Sequence, residues 1–379
     1  MESGNQECNK NYFQDKKKNK EELMKIGILT FHCSYNFGAV LQCYALQEYL
    51  KSLGHDVKIL NYRPVYLTTK VPKINFKYLV KHPLSAFSYI VRQYPLRKSR
   101  YAKFVEFEKQ YYQLTKNLCT KDDIEECVDE FDVIVFGSDQ IWCEKFNKKD
   151  TVWYGNLRHN ENVKFISYAA SAGDVIFSEI GEDLTKMAVE EFKAISVREK
   201  KLADYIKEKT EIVLDPTLMV PYEVYEKWFN PIINDRYILV RQARSDSYIY
   251  TLAKAIAKQI NAKVITADMH SNSFKDSENV YSCSPSEFVA LVKNAQCLVS
   301  NSFHGIAIAL VTNVPFYATR LYDGGDERIL NLLELLDLTD RVVEKGEKPK
   351  FEDIDYKSVT EKLDILRQNS QQFLIKNLS

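Results

Sequence analysis

The sharpest chemical signal in the sequence is the segment Cys297-Leu-Val-Ser-Asn-Ser-Phe-His-Gly-Ile-Ala-Ile-Ala-Leu-Val311. Its apolar start predicts a buried strand, Cys297–Val299, and its small-residue end predicts a helix that begins near Phe303. The polar turn between them leaves backbone N–H groups at the helix start without partners, which is an anion-binding arrangement. His304, in the first helical turn, can donate or accept a proton near neutral pH. The sequence therefore predicts an anion site that contains a proton-transfer group.

The length and composition of the chain limit the kinds of protein that it can be. The chain has 379 residues, enough for two domains, and its apolar and charged fractions of 45% and 27% are those of a soluble globular protein. The formal net charge is zero, so total charge gives no argument for a nucleic-acid partner. The eight cysteines are scattered without a C-x-x-C pair, and neither a signal peptide nor an apolar run of membrane-spanning length is recognisable. We therefore expect a cytoplasmic protein with reduced cysteines.

Short apolar strands alternate with amphipathic helices along the chain, which is typical of α/β folds with parallel sheets. A strand over Lys25–Phe31, a helix that ends before Gly54 and a strand over Val57–Tyr62 form a βαβ unit. Further strands are predicted at Phe131–Phe136, Val163–Ala169, Ala194–Glu199, Tyr237–Val240, Lys263–Thr266, Val280–Tyr281, Cys297–Val299 and Pro315–Tyr317. This order predicts two Rossmann-like domains that face a cleft, with ligands beyond the carboxyl ends of the strands.

The same pattern predicts the domain limits. Residues 1–23 are polar and Lys-rich, which indicates a disordered tail. We expect the N-terminal domain over 24–216 and the C-terminal domain over 217–345, because the Asp215-Pro216 step is a natural break. Residues 346–379 are expected to form a C-terminal helix that packs back on the N-terminal domain.

An insertion at about residues 64–105 has an unusual charge distribution. Between Asp56 and Glu106 the chain carries basic residues, interleaved with aromatic ones, and no acidic residue. One interpretation is a helical insertion whose solvated face is basic. The other is a surface that meets anionic lipid headgroups or a diphosphate-linked substrate, with peripheral membrane contact. Nucleic acid is not expected, since no nucleic-acid-binding motif accompanies the charge.

Six short segments resemble the motifs of one family. They are Asn36-Phe-Gly38 with the Ala-Val-Leu-Gln helix after it, Phe136-Gly-Ser-Asp-Gln-Ile-Trp142, Ser167-Tyr-Ala-Ala-Ser-Ala-Gly173, Ile195-Ser-Val-Arg-Glu199, Leu214-Asp-Pro-Thr217 and Ser300-Asn-Ser-Phe-His-Gly305. Each is unspecific alone, but the ordered set resembles the polysaccharide pyruvyltransferases. The resemblance implies a fold like that of the two-domain GT-B glycosyltransferases. It also implies transfer of a carboxyethylidene (pyruvyl ketal) group from phosphoenolpyruvate to a sugar, with no further cofactor.

The resemblance also implies site residues. Arg198 of the Ser-Val-Arg motif is similar to the family's donor-binding residue, and His304 to its general acid. Several members carry an Arg two residues before that His, where this chain has Ser302. The missing charge could be replaced by one of four arginines elsewhere in the chain, or the donor preference could differ; the candidates are Arg241, Arg244, Arg320 and Arg328.

Other expected roles each have a structural alternative. Around the anion site we expect donor contacts from Ser300, Asn301, Ser302 and Phe303, and on the acceptor side contacts from Asn36, Gly38, Gln140 and Trp142. Asp139 is a candidate base for the acceptor hydroxyl. Each of these residues has a structural alternative. His304 could be a cap or core imidazole, and Arg198 could pair with Glu199 or a neighbouring acid on a solvated face. Asp139 could cap a helix or pair locally, Asn36 and Gly38 could form a turn, and Trp142 could fill the core. The acidic run from Asp323 to Asp326 is interpreted as a turn with a helix cap, and no metal is expected.

The functional hypothesis is therefore a pyruvyltransferase that acts on a sugar of a cell-surface polysaccharide or of its lipid-linked precursor. Its expected partners are phosphoenolpyruvate and the sugar or lipid-linked oligosaccharide, and its expected place is the cytoplasm or the inner face of the membrane. One rival is a GT-B-type glycosyltransferase with a nucleotide-sugar donor, which also requires an anion site at a helix start. Another is a non-catalytic relative, which the serine at position 302 favours.

Overall fold

The structure is a computed structural model that describes residues 23–68, 87, 89–173, 179–207, 210–267, 278–322 and 326–378. The predicted disordered tail, residues 1–23, lies outside this part of the chain except for Leu23. Among the helices of the described ranges, none is long and apolar enough to cross a membrane.

Two parallel sheets form the framework of the molecule. Their strands are β1 (Lys25–Leu29), β2 (Asp56–Tyr62), β3 (Leu114–Leu118), β4 (Val133–Phe136), β5 (Lys164–Ala170), β6 (Ala194–Val197), β7 (Thr210–Ile212), β8 (Tyr237–Arg241), β9 (Lys263–Thr266), β10 (Glu278–Asn279), β11 (Cys297–Ser300), β12 (Phe316–Thr319) and β13 (Val342–Val343). The first sheet has the order β3-β2-β1-β4-β5-β6-β7, and the second has the order β10-β9-β8-β11-β12-β13. In each, the order reverses after the first strand in sequence, as in Rossmann sheets. The prediction of two Rossmann-like domains is confirmed.

Helices connect the strands. They are α1 (Phe37–Ser52), α2 (Val65–Thr68), α3 (Tyr94–Tyr111), α4 (Lys121–Glu125), α5 (Glu144–Asn147), α6 (Glu179–Glu191), α7 (Lys200–Ile206), α8 (Pro216–Met219), α9 (Glu223–Glu226), α10 (Tyr248–Ile260), α11 (Pro285–Lys293), α12 (Phe303–Val311), α13 (Glu327–Leu335) and α14 (Tyr356–Leu378). A π-helical segment, Tyr89–Gln93, leads into α3. Every residue of β4, β6, β8, β11 and β12 is buried, since both faces of the sheet are covered.

Edge strands are where the sequence prediction fails. The strand predicted at Val280–Tyr281 is wrong by two residues, because β10 comprises Glu278 and Asn279. Both residues of β10 are exposed and pair with β9. The outer strand β3 also carries mostly polar or half-exposed residues. An edge strand can be held by backbone hydrogen bonds on one side, so its sequence needs no continuous apolar run.

The segment between the two sheets is tied to the last helix. Asp215 precedes α8, and its side chain accepts a hydrogen bond from the Thr217 backbone N–H at 2.9 Å. The Leu214 N–H donates to Ser370 Oγ of α14 at 2.9 Å. In addition, α14 places Phe373 6.3 Å from the Tyr168 ring of β5, measured between ring centroids. The C-terminal helix therefore contacts both the connection and the N-terminal domain.

The described part of the basic insertion makes contacts between the domains. Arg100 of α3 is buried, lies 4.3 Å from the centre of the Phe37 ring and donates to the Tyr281 carbonyl at 3.2 Å. Lys103 donates to both carboxylate oxygens of Glu287 at 2.8 Å. These two cations therefore hold α3 against the C-terminal domain. Residues 69–86 and 88 of the insertion lie outside the described ranges.

Candidate active site

The carboxyl edges of the two sheets meet around one buried carboxylate, Asp215. Its side chain is 0% exposed, and its Oδ2 forms an ion pair with Arg198 Nη1. Its Oδ1 accepts the Thr217 hydroxyl at 2.6 Å. Arg198 follows β6 and is itself only 3% exposed, and its Nη2 lies 3.2 Å from Oδ1 of Asp139, which follows β4. One guanidinium is therefore shared by two carboxylates from different segments.

Asp215 is held in its ionised form by this environment. Burial raises the pKa of a carboxyl group, because the charged form loses its hydration. The positive charge of Arg198, the nearby His304 and the hydrogen bonds from Thr217 oppose that effect. The net result is a pKa for Asp215 below its ordinary value.

His304 brings the C-terminal domain to the same carboxylate. Its Nε2 lies 3.4 Å from Asp215 Oδ2, which is longer than a normal hydrogen bond, and its side chain is 12% exposed. The ring covers Gly38, at the start of α1, so closely that a Cβ on Gly38 would lie 2.0 Å from Nδ1. Only glycine leaves room for the imidazole at this position. His304 is thus held between an N-terminal helix start and the central carboxylate.

Two cations lie close to the Phe303 ring. The guanidinium carbon of Arg198 lies 5.7 Å from the centre of the Phe303 ring, and that of Arg328 lies 5.6 Å from it. Both distances are within the range of cation–π attraction. Arg328 Nε also lies 3.9 Å from Oε1 of Glu199, and that oxygen accepts the hydroxyl of Ser171.

Side-chain hydrogen bonds fix the turn between β11 and α12. Ser300 Oγ donates to the Arg241 carbonyl at 2.7 Å and accepts the Ser302 N–H at 3.0 Å. Asn301 accepts the Ala243 N–H at 2.7 Å and donates to the Arg244 carbonyl at 2.9 Å. Ser302 is the N-cap residue of α12, without a side-chain capping bond. The turn is therefore held in place by the loop after β8.

The family model for polysaccharide pyruvyl transferase matches residues 36–320 of the chain. The chain belongs to this family. The matched segment contains every residue of the cluster around Asp215 except Arg328. No curated protein sequence matches this chain.

Solved structures resemble this chain in fold at low sequence identity. A Listeria monocytogenes protein described as a UDP-N-acetylglucosamine 2-epimerase has a TM-score of 0.50 and 7% identity, over 93% of this chain and 90% of its own. The glycosyltransferase SnogD from Streptomyces nogalater has a TM-score of 0.39 and 13% identity, over 93% and 96% of the two chains. The first likeness supports the two-domain architecture and carries nothing about activity.

The structure does not place all the expected acceptor residues on an open surface. Asn36 is exposed, but its side chain caps α1 by accepting the Gly38 N–H at 2.9 Å. Gly38 is covered by the His304 ring, so the prediction that it contacts a sugar is wrong. Gln140 is half-buried, and its Nε2 would lie 2.4 Å from a Cβ on Gly173.

Trp142 is a core residue, and the prediction that it binds the acceptor is wrong. It is 1% exposed, and its Nε1 donates to the Trp153 carbonyl at 2.9 Å. Its ring is stacked 6.3 Å from that of Tyr154 and 6.1 Å from that of Phe192. In the sequence, Trp142 follows the polar residues Asp139 and Gln140, which suggests an exposed loop. In the structure the chain enters the core immediately after them.

A substitution at Trp142 tests this correction. We expect Trp142→Ala to lower the free energy of unfolding by about 3–5 kcal/mol, because it leaves a cavity and an unpaired carbonyl. Trp142→Phe keeps the aromatic packing, so we expect a smaller loss and an unchanged KM for the acceptor. Urea unfolding and acceptor kinetics measure the two effects. A raised acceptor KM with unchanged stability would restore the stacking role.

The sequence analysis assigned no site role to Asp215 and only a shared one to Arg328. Asp215 lies within the Leu214–Thr217 motif, and an acid placed before Pro and Thr at a domain junction is the signal that marks it. Arg328 is one of four arginines proposed to replace the charge missing at Ser302, and the sequence does not distinguish among them. Its position follows only from how α13 packs, which no local pattern reveals.

The acidic run at 323–326 is described only at its end. Asp326 accepts hydrogen bonds from Arg320 Nε at 2.6 Å and from the Leu321 N–H at 3.0 Å, and residues 323–325 lie outside the described ranges. Asp326 precedes α13 without a side-chain capping bond. In the described part of the chain, no group of three or more His, Cys, Asp or Glu residues is arranged to hold a metal ion.

Proposed function

We propose that the protein transfers a pyruvyl group from phosphoenolpyruvate to two hydroxyls of a sugar and forms a ketal. The observation that carries this proposal is the meeting of His304 with the Arg198–Asp215 pair at the edges of both sheets. A proton-transfer group beside a fixed guanidinium and a helix start is what an enol phosphate with two anionic groups requires.

The proposed reaction divides the work among the described residues. His304 donates a proton to the methylene carbon, which becomes the methyl group of the ketal. The electron-poor C2 accepts one sugar hydroxyl oxygen, and the second hydroxyl oxygen replaces the phosphate. Of the two hydroxyl protons, one goes to Asp139 as the base and the other leaves with the phosphate. Asp139 then releases its proton to solvent and His304 takes one up, so that in the balance one hydroxyl proton replaces the one given to the methyl group. Arg198 and the α12 start stabilise the negative charges.

Asp139 is suited to this role by position. It follows β4, at the same sheet edge as Arg198, and its side chain is 13% exposed. Its backbone is anchored by the Ser171 N–H, which donates to the Asp139 carbonyl at 3.0 Å. A carboxylate with a fixed backbone, on the rim of the cluster, can accept a proton from an arriving hydroxyl.

The proposed acceptor is a sugar of a cell-surface polysaccharide or of its lipid-linked precursor, used at the inner face of the membrane. The exposed start of the α3 region supports a membrane contact. Phe87, Val91 and Leu96 are exposed apolar residues there, with 68%, 56% and 39% of their surfaces accessible. The exposed basic residues among them are Arg92, Arg97 and Lys98. Apolar and basic side chains together bind anionic lipid surfaces.

Liposome flotation tests the membrane contact. We expect the protein to float with anionic vesicles at low salt and to be released as salt rises, since surface charges are screened. The variant R92E/R97E/K98E should lose most of this binding, at about 1 kcal/mol for each basic residue removed. The matched control K348E/K350E/K357E changes the charge equally on an exposed surface elsewhere and should still float. Equal binding by both variants would contradict the assignment.

An assay with phosphoenolpyruvate and a panel of sugar acceptors tests the proposed function. The expected result is release of phosphate together with a mass gain of one carboxyethylidene group on a sugar. Reaction with a nucleotide sugar, and none with phosphoenolpyruvate, would indicate the rival glycosyltransferase. Binding of phosphoenolpyruvate without turnover on the panel would indicate the non-catalytic relative.

A further inference from the structure

The charge of Arg198 is largely used within the protein. Its two terminal nitrogens face Asp215 and Asp139, so one positive charge is opposed by two negative charges. Phosphoenolpyruvate brings a carboxylate and a phosphate to the same place. A site with Arg198 as its only cation would therefore repel the donor, and a second cation is needed within reach of the His304 ring.

Arg328 is the cation that the fold places there. Of the four arginines that the sequence left open, it is the one whose guanidinium is described over the Phe303 ring, the neighbour of His304. Arg320 is paired with Asp326 at 2.6 Å and with Glu344 at 2.9 Å. Arg241 is buried 5.4 Å from the Phe37 ring centre, and Arg244 lines a separate cavity of about 460 Å³ with Arg320.

The surroundings of Arg328 fit a ligand-binding group. It lies in the first turn of α13, and its side chain is 16% exposed, against 3% for Arg198. Its contact with Glu199 is long, at 3.9 Å, and the same Glu199 oxygen also accepts the Ser171 hydroxyl. Its neighbour Glu327 pairs with Lys201 of α7 at 2.6 Å, which holds the start of α13 against the N-terminal domain. The guanidinium is thus positioned by both domains and partly open.

We propose that Arg328 binds the phosphate group of the donor beside the Phe303 ring, which Arg198 also contacts. The inference rests on the proposed function and deepens it. Phosphate is the group that leaves, so we expect it to bind to the more exposed of the two cations, which is Arg328. A planar guanidinium also makes two parallel hydrogen bonds to phosphate, which an ammonium does not.

Calorimetric titration with phosphoenolpyruvate and with inorganic phosphate tests the assignment. We expect Arg328→Gln to weaken both about 10–100-fold, the loss of charge-assisted hydrogen bonds. Arg328→Lys keeps the charge without the planar fork and should be intermediate. Arg236→Gln is the control. Arg236 is exposed and precedes β8, at the amino ends of the strands of the same sheet, so this variant should bind both ligands as the wild type does.

Kinetics give a second readout that a purely structural role would not produce. Arg328→Gln should raise the KM for phosphoenolpyruvate more than it lowers kcat, whereas a His304 variant should lower kcat. Urea unfolding checks that each variant is folded; if Arg328→Gln is not, Arg328→Lys decides the question. If the folded Arg328 variants bind phosphate with wild-type affinity, the inference about Arg328 is wrong and the proposed function is unaffected. A wild-type protein that binds neither ligand overturns the proposed donor and the inference together.

Discussion

Replacing His304 with Ala should lower turnover about 10²–10⁴-fold, which is the contribution of a positioned acid or base. The imidazole lies 3.4 Å from Asp215 and over Gly38, so no other described side chain can take its place without moving. The KM for the donor should change less than kcat, since the anion-binding groups remain. Steady-state kinetics on the folded variant measure the effect.

A second histidine provides a matched control. His159 is similarly buried, with 15% of its side chain exposed, and its Nε2 lies 2.7 Å from Glu191. It precedes β5, at the opposite edge of the sheet from the proposed site. His159→Ala should keep turnover within a few-fold of the wild type. Equal losses in both variants would mean that His304 acts through stability and not through proton transfer.

Replacing Asp215 with Asn should have the largest effect on stability. The change keeps the shape but removes the charge that opposes Arg198, and breaking one side of a buried ion pair costs about 3–5 kcal/mol. Turnover should fall as well, because the Asp215 carboxylate contacts both Arg198 and His304. Urea unfolding at neutral pH measures the loss. Asp183→Asn, in an exposed pair with Lys186, should change the free energy of unfolding by less than about 1 kcal/mol.

The same substitution changes how stability depends on pH. The pKa of Asp215 is lower in the folded protein than its ordinary value of 3.8, so the carboxylate stabilises the fold above that value. This contribution is lost as the pH falls below it, because the unfolded chain then takes up a proton at this carboxyl group that the folded protein binds poorly. Wild-type stability should therefore decline more steeply than that of Asp215→Asn below about pH 4. Parallel curves for the two proteins would contradict the proposed charge at Asp215.

Most of the fold could be predicted because short stretches of sequence indicate its strands and helices. Buried parallel strands such as β8 and β11 are continuous apolar runs, and the capping box of Ser284 and Glu287 marks the start of α11 in the sequence. Edge strands such as β10 lack such a signal, since backbone pairing alone defines them.

The candidate site was predictable only in part. His304 and Arg198 were found because motif and strand-end position coincide. Trp142 was misassigned because burial depends on packing that a motif does not encode. The roles proposed for Arg328 and Asp215 depend on contacts between distant segments of the chain. Arg328 and Glu199 are more than 100 residues apart in sequence, and Asp215 and His304 are 89 residues apart. Such contacts follow from the arrangement of whole elements, which one sequence does not reveal.

The central claim is that His304 delivers a proton to the methylene carbon of phosphoenolpyruvate as the ketal forms. Running the reaction in D₂O with the acceptor identified from the panel, and recording the NMR spectrum of the product, tests it most directly. The expected product is a sugar ketal whose methyl group carries one deuterium, formed with release of one phosphate. His304→Ala should form much less of this product. A ketal without deuterium, or a product that carries a transferred sugar instead of a ketal, would contradict it.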